Sequence, residues 1–356
     1  MSASAPARPT TLAGALELLP KVELHCHVEG AIRPATVMEL AVKNGIDLPV
    51  DDPTELYRYD SLNTFLEVFF LVQGVLADQG DWARIAYEAA VDGAAHGMVY
   101  RESFFTPARL LAKGQSLAEI VAGLDEGCAA AQAETGVVVN LICDFDREFG
   151  PKVAEATAQE LVALKRAGAP GIDRVLGVGY DSIEIGQEPG WYAEAFRIAG
   201  AGGFRRTAHQ GENSGPDAIL ACVDLLGAER IDHGMSILDD PDVVSRFVDD
   251  RIALTVCPNS NIRIANAFPE LAQHVYPTMR AAGLLATLNT DDPALTDLDL
   301  GYEYSSAAEA FGYGWDDMVD IALDGVEACW LEDADKGGVR AAVNGARESL
   351  RPEPTA

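Results

Sequence analysis

Basic residues are scarce in this chain. Among 356 residues, 26 lysines and arginines stand against 56 aspartates and glutamates, a formal charge of −30. Phosphate backbones and anionic lipid surfaces are held by clustered Lys and Arg, so the balance argues against a nucleic-acid partner and against docking on a membrane surface. It fits a soluble, self-repelling surface. Long apolar runs are missing too, and no segment reaches the ~20 residues that span a bilayer. Met1–Thr10 is rich in Ala, Pro and Ser and lacks the apolar centre of a secretory signal. The six cysteines (Cys26, Cys128, Cys143, Cys222, Cys257, Cys329) include no C-x-x-C pair. In a chain of this length they read as reduced, buried thiols of a cytoplasmic protein. No Gly-x-Gly-x-x-Gly follows an early strand, which counts against a dinucleotide-binding sheet.

What is present is a regular alternation. Short apolar segments recur at Val22–His27, Met98–Phe104, Val137–Phe145, Arg174–Tyr180, Phe204–His209, Arg230–His233, Ile252–Cys257 and Leu284–Asn289. Helical patterns lie between them, among them Ala83–Gly97, Leu117–Thr135, Val153–Ala167, Trp191–Ala201, Pro216–Leu226 and Pro241–Val248. Eight strand–helix units predict an α/β fold, a (β/α)₈ TIM barrel, with a doubly wound sheet as the alternative. The expected organisation is a single barrel domain over residues 11–345, a disordered N-terminus over 1–10 and a C-terminal tail over 346–356. The insertion Asp51–Leu76 carries Tyr57, Tyr59, Phe65, Phe69 and Phe70. At helical spacing such a stripe reads as core, or as a lid helix over the barrel mouth because it follows the first strand.

His27, Asp181, His209, His233 and the pair Asp291-Asp292 all fall at or just beyond the C-terminal end of an expected strand. In a barrel those ends meet in one mouth. His25 and His27 lie one residue apart on an alternating stretch, so both imidazoles face the same way. Alone, such a pair is weak evidence for a metal, because histidine pairs on strands are often just hydrogen-bonded. With His209 and Asp291 it forms a set of ligands suited to Zn²⁺ with a position left for water. Glu212, in His209-Gln-Gly-Glu212, is a candidate proton donor or acceptor, or an ordinary surface turn. His233, before a glycine, is a candidate base or a satisfied core histidine. After the fourth strand, Gly179–Glu184 contains no lysine to bridge two metals, which favours one ion per chain.

Together Leu19-Pro-Lys-Val-Glu-Leu-His25-Cys-His27, His209-Gln-Gly-Glu212, Glu229-Arg-Ile-Asp-His233-Gly, Cys257-Pro-Asn-Ser-Asn261 and Asn289-Thr-Asp291-Asp292-Pro293 resemble the adenosine/adenine deaminase family of the amidohydrolase superfamily, from about Leu19 to about Asp333. The resemblance implies one Zn²⁺ held by His25, His27, His209 and Asp291. It implies that Glu212 protonates N1 of a purine, that His233 orients and deprotonates the attacking water, and that Asp291 shares that water. Asp292 would meet the N7 side of the base and a backbone amide near Ser182 would meet N3. Phe65, Phe69 and Glu29 are further expected substrate contacts.

Two departures bear on the substrate. Adenosine-specific members usually carry His-x-His-Leu-Asp-Gly, whereas here the run is Val28-Glu29-Gly30, closer to adenine-deaminase members. Gln210 replaces the usual alanine between the histidine and Gly211. Against that, Gly30-Ala-Ile-Arg-Pro34 resembles the adenosine type, and the stretch after Asp292 lacks an aromatic–glycine pattern associated with adenine deaminases. The expected activity is hydrolytic deamination of adenosine or 2′-deoxyadenosine, with adenine or a modified adenosine as the alternative. Two other classes compete: a catalytically silent purine-binding barrel, and a metal-dependent phosphoesterase. The expected partner is a small-molecule purine, in a chain that is compatible with a homo-oligomer.

Overall fold

The computed structural model describes residues 9–353. Residues 1–8 of the expected N-terminal segment and 354–356 of the expected tail lie outside the described residues. Eight strands run parallel in sequence order: β1 (Lys21–Glu23), β2 (Met98–Phe105), β3 (Val138–Asp146), β4 (Val175–Asp181), β5 (Arg205–Gln210), β6 (Arg230–His233), β7 (Ala253–Val256) and β8 (Ala286–Leu288). The ring closes where the chain beyond β1 meets the chain beyond β8. There the amide of Asp291 donates to the carbonyl of His25 at 3.0 Å, and that of His27 to the carbonyl of Asp291 at 2.8 Å. This is the expected (β/α)₈ barrel.

The first strand is shorter than its alternation suggests. Its regular ladder ends at Glu23, because the next amide, Leu24, donates to the side-chain Oδ1 of Asn289 at 2.8 Å instead of to a backbone carbonyl. The extended course continues through isolated bridges from Cys26 to Asp291 and from His27 to Phe104. His25 and His27 therefore sit on a bridged continuation of β1, still one residue apart and facing the same interior.

Helices follow local signals. The helix Gln79–Ala95 begins at a capping box between Asp78 and Asp81, and Gly150–Ala167 stops at Gly168 in the left-handed conformation. The final helix runs Asp333–Ser349, past residue 345 where the barrel domain was expected to end. The insertion after β1 folds into two helices, Pro53–Leu56 and Leu62–Gly74. The second starts at a Ser61–Thr64 capping box and buries Phe65, Phe69, Val72 and Gln73. Those positions fall at i, i+4, i+7 and i+8, one face of the helix, and the face lies over the mouth. Charge is also buried in pairs, between β1 or β6 and β2. Arg101 Nε donates to Glu23 at 2.6 Å and Arg230 Nη1 to Glu102 at 2.5 Å, which keeps those ions partnered out of water.

Candidate active site

Four side chains converge at the C-terminal ends of β1, β5 and β8. His25 Nε2 lies 3.0 Å from His209 Nε2, which lies 3.1 Å from His27 Nε2. Asp291 Oδ1 is 3.0 Å from His25 Nε2 and 3.3 Å from His27 Nε2. The outer nitrogens fix two tautomers. His25 Nδ1 lies 3.1 Å from the carbonyl of Thr255, and His209 Nδ1 lies 3.1 Å from that of Tyr180. A carbonyl only accepts, so each Nδ1 carries the proton and each Nε2 presents a lone pair. Two lone pairs aimed at one point repel unless a cation stands between them. The donor set, three imidazoles and one carboxylate, suits Zn²⁺. Electrostatics say the same. Burial opposes a charge on His27, yet the hydrogen bond to Asp291 and the nearby carboxylates push it well above its ordinary range. Burial likewise opposes ionisation of Asp291, but the imidazoles packed against it, His25 first, hold it well below the usual carboxylate range.

The backbone is bent to bring these groups in. Ser182, His233 and Asp291 are non-glycine residues with φ of 70°, 65° and 66°. Such conformations cost energy and persist where the surroundings enforce them. Gly30 serves a different need: a Cβ there would lie 1.8 Å from Asp292 Oδ1, so only glycine lets Asp292 take its place.

Glu212 and His233 face the cluster. Burial, with the charges of Glu184 and Asp291, pushes the Glu212 carboxyl up to about 8. It is therefore protonated in neutral solution and able to donate. Asn261 links the two groups, its Nδ2 lying 3.1 Å from both Glu212 Oε1 and His233 Nδ1. The direction of these bonds is set further out. His274, pushed down to about 4 chiefly by burial, with the neighbouring His233 imidazole adding to it, is neutral. Its Nδ1 accepts from the amide of Tyr276 at 3.0 Å, so its Nε2 carries the proton and donates to Asn261 Oδ1 at 3.2 Å. Asn261 must then present its NH₂ to His233 Nδ1. With Nδ1 accepting from Asn261, the His233 ring carries its proton on Nε2, which lies 3.9 Å from Asp291 Oδ2. Ser260 Oγ donates to that same oxygen at 2.6 Å.

Above the cluster lies a cavity of about 80 Å³, smaller than the several hundred Å³ of drug-sized pockets. Among the expected contacts, His27, His209, His233, Glu212, Asp291, Asp292, Ser182, Phe65 and Phe69 line it. Asp292 Oδ1 is buried without a hydrogen-bond partner. Glu29 is not at the wall. It is fully buried, and its Oε1 accepts from the amide of Thr106 at 2.9 Å and from Gln73 Nε2 at 3.2 Å. Thr106 and Gln73, which do line the cavity, stand in front of it.

Three side chains at the mouth went unread in the sequence. Arg147, just after β3, donates to the carbonyls of Asp181, His209 and Ser182 at 2.7, 2.9 and 2.6 Å, tying the ends of β4 and β5 together. Glu184 anchors the turn that carries Glu212. It accepts from the amides of Gly211, Glu212 and Asn213 at 3.1, 3.0 and 3.2 Å, and from Ser214 Oγ at 2.5 Å. Gln73 is the third. The one visible signal was for Glu184, a carboxylate three residues past β4 in a run that also holds Asp181.

Fold and site together define a barrel of the amidohydrolase type, with a histidine–carboxylate centre at the C-terminal ends of its strands. The adenosine deaminase family model matches residues 20–346, and the chain belongs to that family. It is 37% identical to an adenine deaminase of Streptomyces coelicolor over 322 residues, 90% of this chain and 92% of the relative. The crystal structure of an adenine deaminase from Arthrobacter aurescens matches with a TM-score of 0.86 and 31% identity, covering 92% of this chain and 98% of that one. An amidohydrolase from Burkhoderia ambifaria with bound Zn matches with a TM-score of 0.87 and 31% identity, covering 98% and 96%. No helix among the described residues is long and apolar enough to cross a membrane.

Proposed function

We propose that this chain is a zinc-dependent hydrolase that converts adenine and water to hypoxanthine and ammonia. The observation that carries the reading is a three-histidine, one-aspartate cluster on the floor of an aromatic-walled cavity, with the buried carboxyl of Glu212 lining the same cavity. Adenosine, the first expectation from the sequence, gives way to the free base. The relatives named adenine deaminase support the change, and so does the small volume of the cavity, which Gln73 and Thr106 help to line.

His25, His27, His209 and Asp291 would hold the ion, which when bound brings the pKa of a coordinated water toward neutrality. The chain's own residues do the rest. Glu212 donates its proton to N1, drawing electrons from C6. The Nε2–H of His233 points toward Asp291 Oδ2, so His233 orients the attacking water as a donor. This differs from the deprotonating role expected from the family resemblance, since the Asn261 amide leaves no free lone pair on that ring. Asp291 Oδ2 faces the same space and is the acceptor for the water's proton. The water oxygen bonds to C6 as one water proton goes to Asp291 and on to N6. The C6–N6 bond breaks with its electron pair leaving on ammonia, and the remaining proton on O6 returns to Glu212, leaving hypoxanthine with a C6 carbonyl and N1–H. Asp292 meets the N7 side, the backbone at Ser182 meets N3, and Phe65 and Phe69 cover the ring. Six buried, unpaired cysteines suit a reducing, cytoplasmic compartment.

The test is ammonia release by zinc-loaded protein from adenine, adenosine and 2′-deoxyadenosine. The highest kcat/KM is expected on adenine. Silence on every 6-aminopurine would sink the reading, and a clear preference for the nucleosides would restore the first expectation.

A further inference from the structure

Around a purine the ring nitrogens follow the order N1, N3, N9, N7. Around the barrel mouth the polar groups follow the order of the strands that carry them. Glu212 lies after β5, Ser182 after β4, Thr106 after β2 with Gln73 of the lid helix against it, and Asp292 after β8. With Glu212 at N1, Ser182 at N3 and Asp292 at N7, the corner left for N9 is the one occupied by Gln73 and Thr106.

The amide of Gln73 is oriented by its neighbours. Its Nε2 donates to the carbonyl of Thr106 at 2.5 Å and to Glu29 Oε1 at 3.2 Å. Neither can donate in return in that arrangement, so the NH₂ must face them and Oε1 must face away. That Oε1 is buried and has no hydrogen-bond partner, in a side chain only 1% exposed that lines the cavity. A buried carbonyl oxygen held without a donor is the complement of an N–H brought by a ligand.

We infer that Gln73 Oε1 accepts a hydrogen bond from the N9–H of an unsubstituted purine, and that Gln73 is the residue separating the free base from its nucleoside. The inference rests on the adenine reading above. A substituent at N9 removes the donor and meets the wall made by Gln73 and Thr106. Glu29 is a positioning residue in this account. It does not reach the cavity, but its Oε1 holds both the Thr106 amide and the Gln73 NH₂, so it sets which way the Gln73 oxygen points.

The experiment compares kcat/KM for adenine and 9-methyladenine, with inhibition constants for hypoxanthine and 9-methylhypoxanthine as a binding readout. Sites built to hydrogen-bond a substrate N–H reject analogues lacking it by large factors, so wild-type protein should prefer adenine by on the order of 10²-fold or more. Gln73→Met keeps the volume and removes the acceptor. It should shrink that preference at least ~10-fold, mainly through loss on adenine, and the inhibitor ratio should shrink in parallel. Glu29→Gln, which frees the Gln73 amide to turn over, should shrink both ratios by a smaller factor and serves if the first variant folds poorly. Ratios unchanged in both variants, with wild-type protein active on adenine, overturn the role of Gln73 and leave the adenine reading standing. Wild-type protein that prefers adenosine or 9-methyladenine overturns both.

Discussion

Glu184 Oε1 receives the backbone N–H of Glu212 at 3.0 Å, so one carboxylate fixes the place of another. The same side chain gathers the amides of Gly211 and Asn213 and the hydroxyl of Ser214. It also contributes the charge that, after burial, raises the Glu212 carboxyl. Glu184→Gln turns an NH₂ toward a nest of donors. Hydrogen bonds to charged acceptors contribute about 1.5–3 kcal/mol each, and part of that will be lost here. The expected outcome is a lower Tm, a fall in kcat of at least ~10-fold, and an alkaline limb of the kcat–pH profile moved to lower pH. A profile and Tm matching wild type would show that the turn holds itself.

The Asn261 amide predicts a change that preserves shape and reverses polarity. Asn261→Asp places an acceptor against His233 Nδ1 and draws the ring proton to that side, stripping Nε2 of its donor. It also sets a second carboxylate 3.1 Å from Glu212 Oε1. Turnover should fall by about 10²-fold or more, the scale of a misplaced acid or base, while zinc content stays near one per chain. Retention of more than half the wild-type kcat would mean that the His233 tautomer does not matter.

Glu303 supplies a pH dependence away from the proposed metal ligands. Burial pushes its carboxyl up to about 8, with the Asn259 side chain and amide pulling the other way. The folded protein thus holds this proton more tightly than the unfolded chain. The resulting stability is fully present below the unfolded pKa near 4.5 and is lost as pH rises through about 8. Glu303→Gln carries no such proton, so the Tm difference between wild type and variant should move against wild type from pH 5 to pH 9. A difference that stays flat across this range would mean that Glu303 is ionised in the fold.

The parts legible in the sequence are those whose signal is local. Each strand is a short apolar run, and His209 and Glu212 or Asp291 and Asp292 sit within a few residues of one another at a strand end. The parts that were not legible are contacts across the barrel. Gln73 meets Glu29 over 44 residues, and Glu184 meets Glu212 over 28. No periodicity records such a meeting, because it depends on which strand ends face each other once the ring has closed. Glu29 shows the cost of reading a motif by position alone. Two residues beyond His27 it belongs to the motif, but the turn into Glu29–Ala31 sends its carboxylate behind Thr106 rather than into the cavity.

Metal binding gives the most direct check on the centre itself. Without a cation, the lone pairs of His25 and His209 meet at 3.0 Å, so the stripped protein should be the less stable form. A ligand that binds only the folded state stabilises it by RT ln(1 + [L]/Kd), about 4 kcal/mol at a thousand times Kd. Chelated and dialysed protein should therefore show a Tm that climbs with added Zn²⁺ and levels off at one equivalent per chain. His209→Ala should abolish the climb, because it removes the imidazole that faces both other histidines. Calorimetric titration should give a stoichiometry of one, with protons released because, against the effect of burial, the hydrogen bond to Asp291 and the nearby carboxylates favour a charged His27 in the metal-free form. A second tight equivalent would contradict a single-ion centre, and a Tm indifferent to zinc would remove the metal from the mechanism.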